Sequence, residues 1–171
     1  MGTQQSVHGT SVACKPAWMS SYHSAVIQPP EEWQLKIPFR ELAEGSVGMV
    51  VDEFGFALSE QQPNLLRYDN GNVFLDLTHH PRDGEVAIEF GRVGTDERYS
   101  FLLYMRSRAP GDDVAAHDGI CWTVEDVREE LGRLARALAT HGRPILEAEP
   151  RAFEGMKAVR WWNAADLSGG E

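Results

Sequence analysis

The chain has 171 residues, and its 16 lysines and arginines against 26 aspartates and glutamates give a net charge of −10 at pH 7. Such a field repels nucleic-acid backbones and anionic membranes and favours association with basic partners. No apolar run reaches the roughly 18 residues of a membrane span, and the N-terminus lacks the charged and apolar regions of a secretory signal. We therefore expect a cytoplasmic protein that binds neither nucleic acid nor a membrane.

The composition divides the chain into an arm, a domain and a tail. Residues 1–34 are rich in Ser, Gln, Thr, Pro and Gly without hydrophobic periodicity, which predicts a flexible arm. Residues 35–162 suffice for one hydrophobic core but not for two ordinary domains, and residues 163–171 predict a frayed tail. Cys14 and Cys121 lie in unrelated contexts, so two free thiols are expected, with a disulfide as the alternative.

A helix is the first predicted element of the domain. It begins after Pro38 and ends at Gly55, residue types that suit these two positions. Its apolar residues recur at helical spacing: Phe39, Leu42, Ala43, Val47, Val50 and Phe54. Gly45 and Gly48 weaken it in isolation, so the helix must depend on packing. Residues 56–60 then predict a first strand that runs into a loop at residues 61–63.

An antiparallel β-meander is predicted from residue 64 to residue 106. Its three turns fall at Asn70-Gly71, at residues 81–84 and at residues 94–97. Asn-Gly favours a two-residue turn, whereas the second turn needs four residues, because Pro81 has no N–H to donate to a sheet.

These turns fix which residues face one another across the sheet. Leu66 is predicted opposite Leu75, Leu75 opposite Phe90, and Phe90 opposite Phe101. One face of the sheet then collects apolar side chains: Leu66, Tyr68, Val73, Leu75, Leu77, Val86, Ile88, Phe90, Tyr99, Phe101, Leu103 and Met105. Because all three turns agree on one apolar face, the meander is internally consistent.

The opposite face of the sheet is mixed and partly acidic. Asp76 is predicted directly opposite Glu89, a like-charge pair that costs some tenths of a kcal/mol unless a cation lies nearby. Arg67, diagonal to Asp76, can supply that cation. The face is either an ordinary solvated sheet surface with scattered charges or an acidic binding surface on which Phe74 and Tyr104 form an aromatic patch.

The stretch after the meander predicts a loop and then a helix. Residues 109–119 contain Pro, Gly, three Asp and small residues, which is typical of a mobile loop. Thr123 is the expected N-cap of the next helix, with Asp126 three residues later. The apolar residues of this helix share one face: Val124, Val127, Leu131, Leu134, Ala135 and Leu138. His141-Gly142 is its predicted end.

A second C-terminal helix is predicted from Pro150, which suits the first helical position, through Phe153 and Met156 toward Trp161. The whole domain is thus predicted to be α+β and two-layered. An antiparallel meander of about five strands forms one layer, and one N-terminal and two C-terminal helices pack on one of its faces.

Signatures of catalysis are missing from the sequence. It contains no glycine-rich phosphate loop, no zinc-protease or serine-hydrolase motif and no paired Cys-x-x-Cys. His79 and His80 are adjacent on a strand and point to opposite faces, so they do not readily ligate one metal ion. The Asp76 and Glu89 pair could perform acid–base chemistry, but such chemistry also needs a cleft. We therefore predict no catalytic residue, no metal and no cofactor.

Several short motifs resemble a widespread group of small bacterial proteins. They are Glu53-Phe54-Gly55-Phe56, Leu66-Arg67-Tyr68, Val73-Phe74-Leu75-Asp76-Leu77, Pro81-Arg82-Asp83-Gly84-Glu85-Val86, Glu89-Phe90-Gly91-Arg92, Leu138-Ala139-Thr140-His141-Gly142 and Pro150-Arg151-Ala152-Phe153. The resemblance covers about residues 35–160, with Glu53 in place of the group's usual Tyr and Glu149 in place of its usual Asp. Most such proteins are uncharacterised, and some resemble immunity proteins that neutralise toxins of neighbouring cells. The resemblance implies the fold more than the function.

Charge and resemblance together predict a non-enzymatic acidic binding protein, of the immunity type, that occludes a basic toxin through an open sheet face. The predicted partner-binding residues all belong to the second face: Arg67, Phe74, Asp76, Glu85, Glu89 and Tyr104. Two alternatives stay open. One is a small-ligand or regulatory module with residues 109–119 as a lid, and the other is an enzyme that uses Asp76, Glu89 and His80.

Overall fold

A computed structural model of the chain describes residues 37–159. The predicted arm with Cys14, the predicted tail and Trp161 lie outside the described residues. The elements in chain order are α1 (Phe39–Glu53), β1 (Ala57–Gln62), β2 (Leu65–Asp69), β3 (Val73–His80), β4 (Glu85–Arg92), β5 (Tyr99–Ser100), α2 (Phe101–Arg108), α3 (Asp113–Ala116), α4 (Val124–His141), α5 (Arg143–Leu146) and α6 (Pro150–Phe153).

The five strands form one antiparallel sheet in chain order, so the predicted α+β fold with a β-meander is confirmed. Helices α1 and α4 pack against each other and over the apolar face of the sheet. Fully buried side chains from both layers meet there: Phe39, Leu66, Leu75, Leu77, Ile88, Phe90, Leu131 and Leu138. Each contributes about 1.5–3 kcal/mol by leaving water, which makes this interface the main source of stability.

The two long helices follow their local sequence signals. Helix α1 ends at Glu53, and Gly55 follows its C-cap with a φ of +72°, a conformation that favours glycine. Helix α4 begins with a complete capping box, in which Thr123 accepts from the Asp126 N–H and Asp126 accepts from the Thr123 N–H. Both predicted helices are therefore confirmed.

The β3–β4 register agrees with the prediction, since Leu75 pairs with Phe90 and His80 with Glu85. The predicted β2–β3 register is wrong by two residues, because Leu66 pairs with Leu77. The Asn70 side chain explains the shift: its Oδ1 accepts the N–H groups of Asn72 and Val73 and so closes a longer loop. A shift of two residues leaves every side chain on its predicted face.

The prediction of a last strand up to residue 106 is wrong. Only Tyr99 and Ser100 pair with β4, and Ser100 then caps helix α2 by accepting a hydrogen bond from the Leu103 N–H. Phe101, Tyr104 and Met105 are buried at helical spacing, whereas Leu103, predicted on the apolar face of the sheet, is 46% exposed.

The segments that flank α4 are more ordered than their composition predicts. Residues 109–119 contain helix α3, capped by Asp112, with Val114 and Ala115 buried. Helix α5 was not predicted, and α6 ends at Phe153 instead of continuing toward Trp161. Cys121 is a free thiol whose burial raises its pKa to about 12, so it is inert at neutral pH.

Candidate functional site

The structure places the predicted pair of carboxylates at the centre of the second sheet face. Asp76 lies opposite Glu89 on β3 and β4, as predicted, and the shifted register sets Arg67 directly beside Asp76. The Arg67 guanidinium donates two parallel hydrogen bonds to Asp76, with Nε 2.6 Å from Oδ1 and Nη2 2.7 Å from Oδ2. This hydrogen bond is the main cause that raises the pKa of Arg67.

A second cation, Arg98, was missed in the sequence. Its Nη1 pairs with Asp76 Oδ2 and lies 3.9 Å from Glu89 Oε2. Arg98 follows the third turn, so no local pattern links it to β3. The one available signal was the like-charge pair itself, which needed more positive charge than Arg67 alone supplies.

The aromatic residue of this face is enclosed by the same cations. The Arg67 Cζ lies 4.4 Å from the centre of the Phe74 ring, and the Arg98 Cζ lies 5.6 Å from it, distances at which cation–π attraction acts. A Cβ on Gly91 would overlap Phe74 and the carbonyl oxygen of Glu97. The chain between β4 and β5 therefore crosses closely over this part of the sheet.

The prediction of an open acidic face is consequently wrong. Asp76 has no exposed surface, and Glu89 and Phe74 are each 5% exposed. Tyr104 does not belong to this face at all, because it lies on α2 with its hydroxyl donating to the His141 carbonyl at 3.2 Å. Of the predicted partner-binding carboxylates, only Glu85 is exposed.

Glu85 lies where a short segment extends the sheet beyond β4. It forms an antiparallel bridge with Ile120, and the Cys121 N–H donates to the Gly84 carbonyl at 2.7 Å. The Val86 N–H donates to the Gly119 carbonyl at 2.9 Å. Because bridge partners project to the same side of a sheet, Glu85 lies beside Ile120, which is 40% exposed.

The neighbouring Trp122 packs against the β3–β4 turn. A Cβ on Gly84 would approach two indole carbons to 3.0 Å, and the φ of Gly84 is +71°, so this position requires glycine for both reasons. Asp118, 75% exposed, lies two residues before Ile120. We call these exposed or half-exposed neighbours the β4-edge patch: Asp83, Glu85, Asp118, Ile120 and Trp122.

A small cavity lies next to the β4-edge patch, between β4 and helices α2, α3 and α4. Its volume is about 30 Å³, which holds a water molecule or two. On one wall Glu130 is buried and pairs with Arg133 and with His117, whose Nδ1 is 3.1 Å from Glu130 Oε2. Burial raises the pKa of Glu130, and the Arg133 and His117 charges oppose that rise.

Neither a metal site nor a membrane span is found in residues 37–159. No three His, Cys, Asp or Glu side chains come together there in an arrangement that could hold a metal ion. No helix of this part of the chain has the length and apolar character to cross a bilayer. Comparisons with protein-family models, curated proteins and solved structures found no match.

Proposed function

We propose that the protein is a non-enzymatic acidic binding protein of the immunity type, and that the β4-edge patch occludes a basic toxin. One observation carries this proposal: exposed Glu85 lies beside exposed Ile120, with Asp83 in the adjoining turn and Asp118 two residues from Ile120. Within residues 37–159, neither Asp83 nor Glu85 forms an ion pair with an arginine or lysine. Both side chains are exposed, so a partner can approach their charge.

The internal ion pairs strengthen this choice of surface. Asp76 is neutralised by Arg67 and Arg98, so it adds little to the field that a partner meets. The β4-edge patch instead combines exposed carboxylates with an isoleucine and a tryptophan. Carboxylates of this kind accelerate association and set specificity, while the apolar side chains supply affinity when they lose water.

Charge reversal tests the proposed surface. The double variant Glu85→Lys and Asp118→Lys reverses two exposed charges, and the matched control Glu41→Lys and Glu53→Lys makes the same charge change on exposed positions of α1. The probe is a basic secreted toxin, sought first among the products of neighbouring genes, and calorimetry at fixed salt measures its affinity. We expect the patch variant to bind at least about a hundredfold more weakly, since each lost charge contact is worth on the order of 1.4 kcal/mol or more.

The control variant separates the patch from net charge. It should lose no more than a few-fold in affinity, because its charges lie elsewhere and are screened by salt. If both variants lost affinity equally, binding would depend on overall charge alone. Undiminished affinity of the patch variant would remove the β4-edge patch from the proposal.

A second candidate is a small-ligand or regulatory module with residues 109–119 as a lid. The observation that favours it is that Val114, His117, Asp118 and Gly119 line the cavity. At about 30 Å³ the cavity is too small for a metabolite, so a ligand would have to displace this segment. A metabolite that raises the melting temperature in proportion to the logarithm of its concentration would support this function. We do not propose Asp76 as a catalytic group, because it has no exposed surface.

A further inference from the structure

Residues 112–117, which we call the α3 strap, are tied to helix α4 by two histidine–carboxylate pairs. At one end Asp112 Oδ2 lies 3.2 Å from His141 Nε2, and at the other His117 Nδ1 lies 3.1 Å from Glu130 Oε2. Glu130 and His141 are about three helical turns apart on α4. The strap is therefore held at two separated points, and each contains an imidazole ring.

The His117 pair has two competing hydrogen-bond arrangements. The Gly119 N–H donates to His117 Nδ1 at 3.1 Å, which requires a lone pair on Nδ1 and hence a neutral ring with its proton on Nε2. The Glu130 carboxylate is equally close to the same nitrogen, but it can accept only from a protonated Nδ1. One nitrogen cannot satisfy both partners in one protonation state.

We propose that His117 is a pH-dependent switch, in which Nδ1 accepts from Gly119 when the ring is neutral and donates to Glu130 when it is protonated. Protonation takes one proton from water, breaks the Gly119 bond and forms the Glu130 bond. Because Gly119 lies between Asp118 and Ile120, the switch acts on the β4-edge patch. That consequence rests on the proposed function, whereas the switch itself does not.

Charged groups surround His117 on every side. Helix α4 contributes Glu130 and Arg133, and β4 contributes Glu85 across the cavity. On the same segment as His117, Asp118 Oδ1 lies 3.9 Å from His117 Nδ1. Asp113 at the strap's start is 3.6 Å from Arg133. Arg133 is paired to Glu130, so the added proton places net positive charge beside Asp118. Attraction of the β4-edge patch for a basic partner therefore falls as the pH falls.

Amide hydrogen exchange tests the switch on the chain alone. Between pH 8 and pH 5.5, after correction for the intrinsic rate, we expect protection of the Gly119 amide to fall about tenfold or more. The Cys121 amide, which donates to the Gly84 backbone, is the internal control and should not change. Constant protection at Gly119 would overturn the proposal.

Two variants make the test specific. In His117→Asn the side-chain oxygen can still accept from an N–H two residues on, but it cannot be protonated, so the pH dependence should vanish. In Glu130→Gln the charged acceptor is lost, and the fall should be smaller than in the wild type. If the protection of the Gly119 amide fell as much in His117→Asn as in the wild type, His117 would not be its cause. If it fell as much in Glu130→Gln as in the wild type, Glu130 would not be part of the switch.

A cationic probe connects the switch to the patch. Binding of a decalysine peptide, followed by the Ile120 amide shift, should weaken about threefold from pH 8 to pH 5.5 in the wild type and not in His117→Asn. Equal weakening in both would overturn the link between His117 and the patch. If the peptide left Ile120 unmoved at either pH, the proposed function would be at fault, while Gly119 exchange would still decide the switch.

Discussion

Replacing Arg67 by Met should destabilise the fold more than the loss of any single surface ion pair would. Met keeps much of the apolar stem but removes the guanidinium, which leaves the fully buried Asp76 carboxylate paired with Arg98. Loss of one partner from a buried pair typically costs about 3–5 kcal/mol. Because Arg67 is 23% exposed to solvent, which screens the interaction, and because Arg98 remains, we expect a smaller loss of folding free energy, about 2–4 kcal/mol.

Urea unfolding measures this loss through the midpoint at unchanged slope. The control Arg40→Met removes an exposed pair with Glu44 at helical spacing and should cost less than about 0.5 kcal/mol. Adding Asp76→Asn to Arg67→Met removes the stranded charge and should recover much of the loss. An Arg67→Met variant as stable as Arg40→Met would refute the buried ion-pair account of the second sheet face.

Further predictions concern stability. Gly45→Ala in α1, where an added Cβ meets nothing within 4 Å, should stabilise by about 0.5–1 kcal/mol, whereas Gly91→Ala should destabilise or prevent folding because its Cβ would overlap Phe74. Burial lowers the pKa of His79 in the folded protein. As the pH falls below about 6.5, this histidine is therefore protonated first in the unfolded chain, and the folded protein loses stability. His79→Leu should flatten that fall between pH 7 and pH 5.5 in denaturant titrations. Thr123→Ala should cost about 1 kcal/mol through loss of the capping bond, and an unchanged unfolding midpoint would contradict it.

The elements that could be predicted are those whose signals are local. Helix α4 carries its capping box and apolar face within the helix, and the β3–β4 register follows from Pro81, which cannot donate in a sheet. Helix α2 was missed because Phe101, Leu103 and Met105 alternate like a strand. The cap at Ser100 decides between the two periods, and only three-dimensional packing shows that Tyr104 is buried while Leu103 is not.

The candidate site depended on contacts that are distant in the chain. Asp76 opposite Glu89 was predictable from strand register, but the position of Arg98 depends on how the chain returns over the sheet. The bridge between Glu85 and Ile120 joins segments that no local pattern relates. The sequence shows the charge of Glu85, whereas its apolar neighbour Ile120 is apparent only in the fold.

The hydrogen-exchange footprint of the bound toxin tests the central claim most directly. Exchange is measured on the whole chain with and without the same basic toxin probe, at one salt concentration and pH 8. The proposed function predicts slowed exchange in peptides that cover residues 83–86 and 117–122, and no change on the exposed side of α1. Protection confined to α1 or to the β1–β2 hairpin, with residues 117–122 unchanged, would contradict it.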